Sequence, residues 1–278
     1  MTGDEARIVD QGYQPFEGKL GSVRTRFAAI AFNEIRQAWK GKWFRRVAVL
    51  AFFPLGVFGM LAVLQARMPG LVAFGGIWPE FASTQIFFAM LMVYYLGRNA
   101  VAEDLRTGAL TTYFSRPVSF VQYLGGKWLA VAIGVLGVTA LPGLLLAGFR
   151  WAVEPDTDFL RFTAWAGGLL LFALMLSAVQ GAVVLGISAC TRRGRTAGIV
   201  WVLVFFLSSA LSEGLVAATG LGAFRAIGFG QGATYLAEVL LDERGFGHDG
   251  AWYALGLAVW TIGAAGIVFF RLRRWRRL

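Results

Sequence analysis

From about residue 46 onward the chain alternates long apolar runs with short polar ones. Six runs stand out, at roughly 46–66, 80–99, 127–149, 162–189, 196–218 and 251–271. A helix needs about 20 mostly apolar residues to cross the hydrocarbon core of a bilayer, and each run is near that length or above it. The fourth is long enough to tilt or to project from the bilayer. Pro54 and Pro142 fall inside runs, where neighbouring helices can satisfy the carbonyls that proline frees. Gly134, Gly137, Gly181 and Gly186 would permit close helix contact. The pattern predicts an all-α polytopic membrane protein with six transmembrane helices.

The flanking segments have patterns of their own. Residues 1–21 are mixed polar and form a separate N-terminal tail, ahead of a single transmembrane domain over 22–278. The tail lacks the basic start, short apolar run and cleavage site of a signal peptide, so the first span is expected to direct insertion. Over 22–44, Ala28, Phe32, Ile35, Trp39 and Trp43 recur at three- and four-residue steps, while Arg26, Asn33, Arg36 and Lys40 fall elsewhere on the wheel. That predicts an amphipathic helix lying in the membrane interface; an ordinary helix packed on a neighbour is the other reading. Between the fifth and sixth runs, 219–250 is partly apolar. Phe224–Ile227 and Tyr235–Leu241 are too short to span. They fit an outer helical hairpin half inserted into the membrane, or a surface loop with two incidental turns.

Composition strengthens the membrane assignment. Hydrophobic residues make up 57% of the chain and charged ones 15%, against about a quarter charged in a soluble domain. The formal net charge of +10 therefore reports orientation rather than nucleic-acid binding. Of the 26 basic residues, 21 fall before residue 47, in the second-to-third and fourth-to-fifth connections, or at the C-terminus. The positive-inside rule then places both termini in the cytoplasm, with the chain in the inner (plasma) membrane.

Candidate chemistry is sparse. One cysteine, Cys190, and one histidine, His248, argue against disulfides and against metal sites built from these residues. Glu80 and Glu213 lie near run ends, and Gln85 and Gln180 are the main interior amides. Ion-coupled transporters usually carry buried ionisable groups or broken helices near the midplane, and the acids and histidines are missing here. Gly126-Lys127 does not complete a phosphate-binding loop, because Val121 stands where that motif needs glycine and Trp128 follows the lysine. No catalytic, cofactor or metal residue is expected. Energy for work against a gradient would have to come from a partner.

One polar stretch remains, residues 103–127, between the second and third runs. Glu103 and Asp104 open it. Leu105, Leu110, Tyr113 and Phe114 are available for burial, with Arg106, Thr107, Thr111 and Thr112 as polar neighbours. A short amphipathic helix fits, with Gly108 allowing close backbone approach and Pro117 ending it. Ser119 and Gln122 are spaced as a capping box for the helix that follows. The run D-L-R-T-G-A-L…Y-F-S-R-P-V-S…Y-L-G-G-K over 104–127 resembles the signature of ABC-2 type permeases, the membrane subunits of ATP-binding-cassette exporters. Gly108, Pro117, Ser119 and Gly126-Lys127 match it. Arg106 departs from it, standing where many members have an acidic residue. The motif covers about 25 residues, and the six-run layout agrees over the whole chain.

The resemblance implies that residues 103–114 form a coupling helix seated in a separate ATPase, and that 22–44, with Phe32, Ile35, Trp39 and Trp43, ride on the membrane surface beside it. It further implies two cytosolic ATPase subunits, which would hold ATP and magnesium, and a second permease chain, identical or not, with the outer hairpin capping the exit path. A six-span scaffold that recruits a cytosolic ATPase without transporting is the alternative. Membrane lipids are the other expected partners; nucleic acid is not.

Overall fold

The computed structural model describes residues 26–68, 76–115, 118–154, 158–241 and 250–275. The 1–21 tail, residues 22–25, Pro117 and His248 lie outside them. Among the described residues all regular structure is helical. Five stretches are long and apolar enough to cross a membrane: Lys42–Arg67, Phe120–Val153, Phe159–Cys190, Gly194–Thr219 and Gly250–Arg271. The chain is a multi-pass membrane protein.

The first crossing stretch is two helices, α2 (Lys42–Leu50) and α3 (Phe53–Arg67). The break at Ala51-Phe52 precedes Pro54, which sits in the first turn of α3, where a missing N–H costs nothing. Pro54 therefore starts a helix instead of interrupting one. Gln85 Nε2 donates to the Ala51 carbonyl at 3.1 Å and covers the interrupted backbone.

Gln85 belongs to α4 (Ile77–Gly97), which corresponds to the second apolar run. At 21 residues α4 extends about 31 Å, enough to cross. It is less apolar than the five because of Glu80, Thr84, Gln85 and two tyrosines. Its place in the fold explains why that is tolerated. Phe81, Ala82, Ile86, Ala89, Met90, Met92, Val93 and Leu96 are all buried, and α4 packs against the helices Phe120–Val153, Phe159–Cys190 and Phe229–Leu241. Most of its length is covered by protein.

Two long helices frame it. The third apolar run becomes α7 (Phe120–Val153), which begins well before residue 127. The fourth becomes α8 (Phe159–Cys190). At about 1.5 Å per residue both exceed the roughly 30 Å hydrocarbon core, so each has turns to spare beyond it. The capping box expected at Ser119 is present: Gln122 N donates to Ser119 Oγ at 3.2 Å and Ser119 N to Gln122 Oε1 at 3.0 Å. The last two crossing helices are α9 (Gly194–Thr219) and α11 (Gly250–Trp275).

Residues 222–241 enter the helical bundle. A 3-10 segment, Gly222–Ile227, leads into α10 (Phe229–Leu241). Phe229 packs its ring on Trp201 and Phe205 of α9 and on Trp260 of α11. Trp201 is only seven residues beyond the first residue of α9, so α10 begins deep in the bundle. It ends at Leu241, beside Trp78 and Trp165 at the opposite end. A chain reversal inside a bundle exposes backbone groups that need partners. Serines on one face of α9 supply them. Phe229 N donates to Ser208 Oγ at 3.2 Å, Gly230 N donates to Ser209 Oγ at 3.3 Å, and Ser212 Oγ donates to the Phe224 carbonyl at 3.0 Å.

Candidate functional site

The polar stretch after α4 folds at one end of the bundle. The helix expected over 103–114 is divided in two, α5 (Ala102–Thr107) and α6 (Ala109–Ser115). Gly108 separates them with φ of 72°, a left-handed conformation that glycine adopts without strain. Space around it is open. Its role here is to turn the chain and not to let another backbone approach.

The start of α5 is fixed to α8. Val101 N and Ala102 N both donate to Ser188 Oγ at 3.0 Å, and Ser188 Oγ donates to the Arg98 carbonyl at 3.2 Å. A side chain from another helix thus supplies the cap that Val101 lacks.

Asp104 turns inward to a charged cluster joining three helices. Lys127, on the second turn of α7, places Nζ 2.8 Å from Asp104 Oδ2 and 2.6 Å from Glu34 Oε1 of α1 (Arg26–Trp39). Tyr123, one turn earlier on α7, donates its hydroxyl to Asp104 Oδ2 at 2.7 Å. Lys127 is 2% exposed and Tyr123 is fully buried. Tyr113 of α6 packs its ring 5.2 Å from that of Tyr123. Its own hydroxyl is pushed up from the usual tyrosine value, chiefly by burial. Gly126 lies against α1, where an added Cβ would come 2.7 Å from the Phe27 carbonyl oxygen. The absence of a side chain therefore sets how closely α1 seats on α7.

The expected site residues thus separate into two groups. Asp104, Leu105, Leu110 and Tyr113 face the protein, with Leu110 5% exposed. Glu103, Arg106, Thr107 and Gly108 face outward. Glu103 and Arg106 pair with each other across one turn. The hydrogen bond from Arg106 holds the Glu103 carboxyl below its usual range. The side chain of Phe114, like Pro117, is outside the described residues.

The amphipathic segment before the first span also differs from a single helix. It breaks at Lys40-Gly41, so Trp43 begins α2 and does not end α1. The inward face of α1 is Ile30, Ala31, Glu34, Ile35 and Ala38, and from it Ile30 meets α7 at Gly126 and Glu34 at Lys127. Of the four aromatic and aliphatic residues singled out, only Ile35 packs inward. Phe32, Trp39 and Trp43 are 68%, 55% and 63% exposed. They form an aromatic edge uncovered by protein.

Glu34 and Ser188 were not distinguished by the sequence. Glu34 is one acidic residue in a basic helix, and its partner is 93 positions away. Ser188 is one of two serines in an apolar run. Spacing alone marks neither.

At the other end, polar groups converge on a cavity of about 520 Å³ beside α10. Ser83, Ser209, Glu213, Gln231 and Glu238 contribute to its wall, and Gln231 Nε2 donates to Glu213. No protein-family model matches this chain, and no curated protein matches it either.

Proposed function

We propose that this chain is the permease subunit of an ATP-binding-cassette exporter of the ABC-2 type. It crosses the inner membrane six times, with α4 as the second span and both termini cytoplasmic. The observation that carries the reading is the mounting of α5 and α6. A short helical pair presents Glu103, Arg106, Thr107 and Gly108 outward while Asp104 ties it to α7 and Ser188 ties it to α8, with Lys127 carrying the link on to Glu34 of α1. A force applied to the outward face passes into α7 and α8 and, through Lys127, into α1.

The basic connections support the same orientation. The α4–α5 connection meets the turn between α8 and α9, where Gly194 touches Asn99. The start of α7 meets the later turns of α11, where Phe120 packs on Phe269. The segments that carry the basic residues thus lie together, as one cytoplasmic face requires.

In this reading two cytosolic ATPase subunits bind ATP and magnesium, and a second permease chain completes the pathway. ATPase closure pushes α5–α6, and the cluster at Lys127 transmits the movement to α1 and α7. The polar cavity beside α10 lies on the exit side.

The test is to purify the chain with its bound partners, identify any Walker-motif ATPase among them and reconstitute the two together. Glu103→Arg and Thr107→Arg change the outward surface without touching the Lys127 cluster. Each should lower ATPase stimulation by about tenfold, equivalent to about 1.4 kcal/mol of coupling, while the chain remains folded in the membrane. Unchanged stimulation and assembly in both variants would remove the coupling assignment. Loss of ATPase binding with no substrate movement by the wild type would favour a recruiting scaffold.

A further inference from the structure

A cavity of about 320 Å³ lies in the elbow between α1, α2 and α4, at the same end as α5 and α6. Its walls include Gln37, Lys42, Trp43, Arg98 and Asn99. Glu34 also reaches this wall, but its carboxylate is engaged by Lys127 at 2.6 Å. The cationic groups Lys42 and Arg98 are therefore in excess at the cavity.

Arg98 is held in place without being satisfied. Its guanidinium lies over the rings of Tyr94 and Tyr95, 4.8 and 5.7 Å from their centroids, and one terminal nitrogen donates to Tyr94 Oη at 2.9 Å. Its Nε is buried and has no hydrogen-bond partner. A buried donor on a charged group is costly to leave without an acceptor. The first turn of α2 opens onto the same cavity with no capping side chain, because the residue ahead of it is Gly41. A fixed arginine donor, a lysine and uncapped amides together suit a phosphate-type oxyanion.

The surroundings indicate what carries that phosphate. Trp39 and Trp43 stand exposed beside the elbow, and Arg46 lies over the Trp43 ring at 4.8 Å. Exposed tryptophans with arginine mark the level of lipid headgroups, and basic pockets between membrane helices take anionic headgroups. We propose that the α1–α2–α4 elbow binds the phosphodiester of an anionic phospholipid, with Arg98 and Lys42 as its principal contacts. The bound lipid fixes the angle between α1 and α2 and so the seat of α1 beside α5. The proposal rests on the chain being a membrane protein and does not require an ATPase partner.

Native mass spectrometry of the full-length chain, purified in mild detergent and delipidated, tests it. Phosphatidylglycerol, phosphatidylcholine and inorganic phosphate are added back separately. The wild type should retain one phosphatidylglycerol per chain in preference to phosphatidylcholine, and millimolar inorganic phosphate should not displace it. Arg98→Gln should reduce retention at least tenfold. Lys42→Glu, at an exposed position, should weaken it without loss of fold and serves if Arg98→Gln fails to fold. Undiminished retention in Lys42→Glu or in a folded Arg98→Gln would overturn the proposal. Equal retention of phosphatidylcholine, or displacement by inorganic phosphate, would overturn the anionic-lipid assignment.

Discussion

Replacing Lys127 with methionine removes a charge held by two carboxylates and keeps the length and apolar stem of the side chain. The Nζ contacts at 2.6 and 2.8 Å are each worth roughly 6 kcal/mol gross at an effective dielectric constant of about 20. Desolvating the ions takes back several kcal/mol apiece, so the net worth of the intact cluster is small. Breaking it is a different matter, because Glu34 and Asp104 are then left facing each other without a cation. Removing one partner of a buried pair costs about 3–5 kcal/mol, equivalent to roughly two to three and a half orders of magnitude in a docking equilibrium. The cost falls on α1 and α5, since α7 is held by its own contacts with α4 and α8. Hydrogen exchange of the purified chain should therefore show protection of α1 amides falling by about a hundredfold or more, with α8 nearly unchanged. The triple variant Glu34→Gln/Asp104→Asn/Lys127→Met should recover most of that protection, because a neutral trio carries no uncompensated charge. Protection of α1 within about threefold of wild type in Lys127→Met would refute the reasoning, as would a triple variant no better protected than the single one.

Other expected outcomes follow from individual contacts. Gly126→Leu should displace α1, because even a Cβ at 126 meets the Phe27 carbonyl; a cysteine cross-link engineered between α1 and α7 should form more slowly in this variant. Ser188→Ala leaves the Val101 and Ala102 amides without an acceptor and should cost about 1–3 kcal/mol, read as faster exchange confined to the start of α5. Ser208→Ala with Ser209→Ala should expose the first turn of α10 to exchange without altering α8. The pH dependence of α5 should follow Glu103. Its carboxyl is held below the usual value by Arg106, so its contribution is complete above the normal glutamate range and is lost as pH falls through the depressed value. Glu103→Gln should flatten this profile in an α5 exchange titration.

Much of the fold was legible from local pattern. A membrane helix must satisfy its own backbone and match the bilayer in length, so apolar runs located the five crossing stretches, although α7 starts seven residues ahead of its run. The capping box at Ser119 and Gln122 was equally legible, because it is formed by residues three apart. The amphipathic periods at 22–44 showed helix but not which face packs. Isoleucines, alanines and one glutamate face inward, while Phe32, Trp39 and Trp43 stay uncovered.

The sequence by itself determined that the chain is helical, crosses a membrane and places its polar chemistry between the second and third apolar runs. Those properties depend on neighbours along the chain and on the solvent each run prefers. Tertiary structure alone decided that Asp104 is a part-buried anchor paired with Lys127 and Glu103 a surface group, though the two are adjacent. It also decided that Glu34 closes the cluster, that Ser188 caps α5, and that residues 222–241 reverse inside the bundle. A buried charge is tolerated only where a counter-charge reaches it, and an interrupted backbone only where another helix supplies partners. Those partners come from residues 12 to 93 positions away, beyond the reach of any local periodicity.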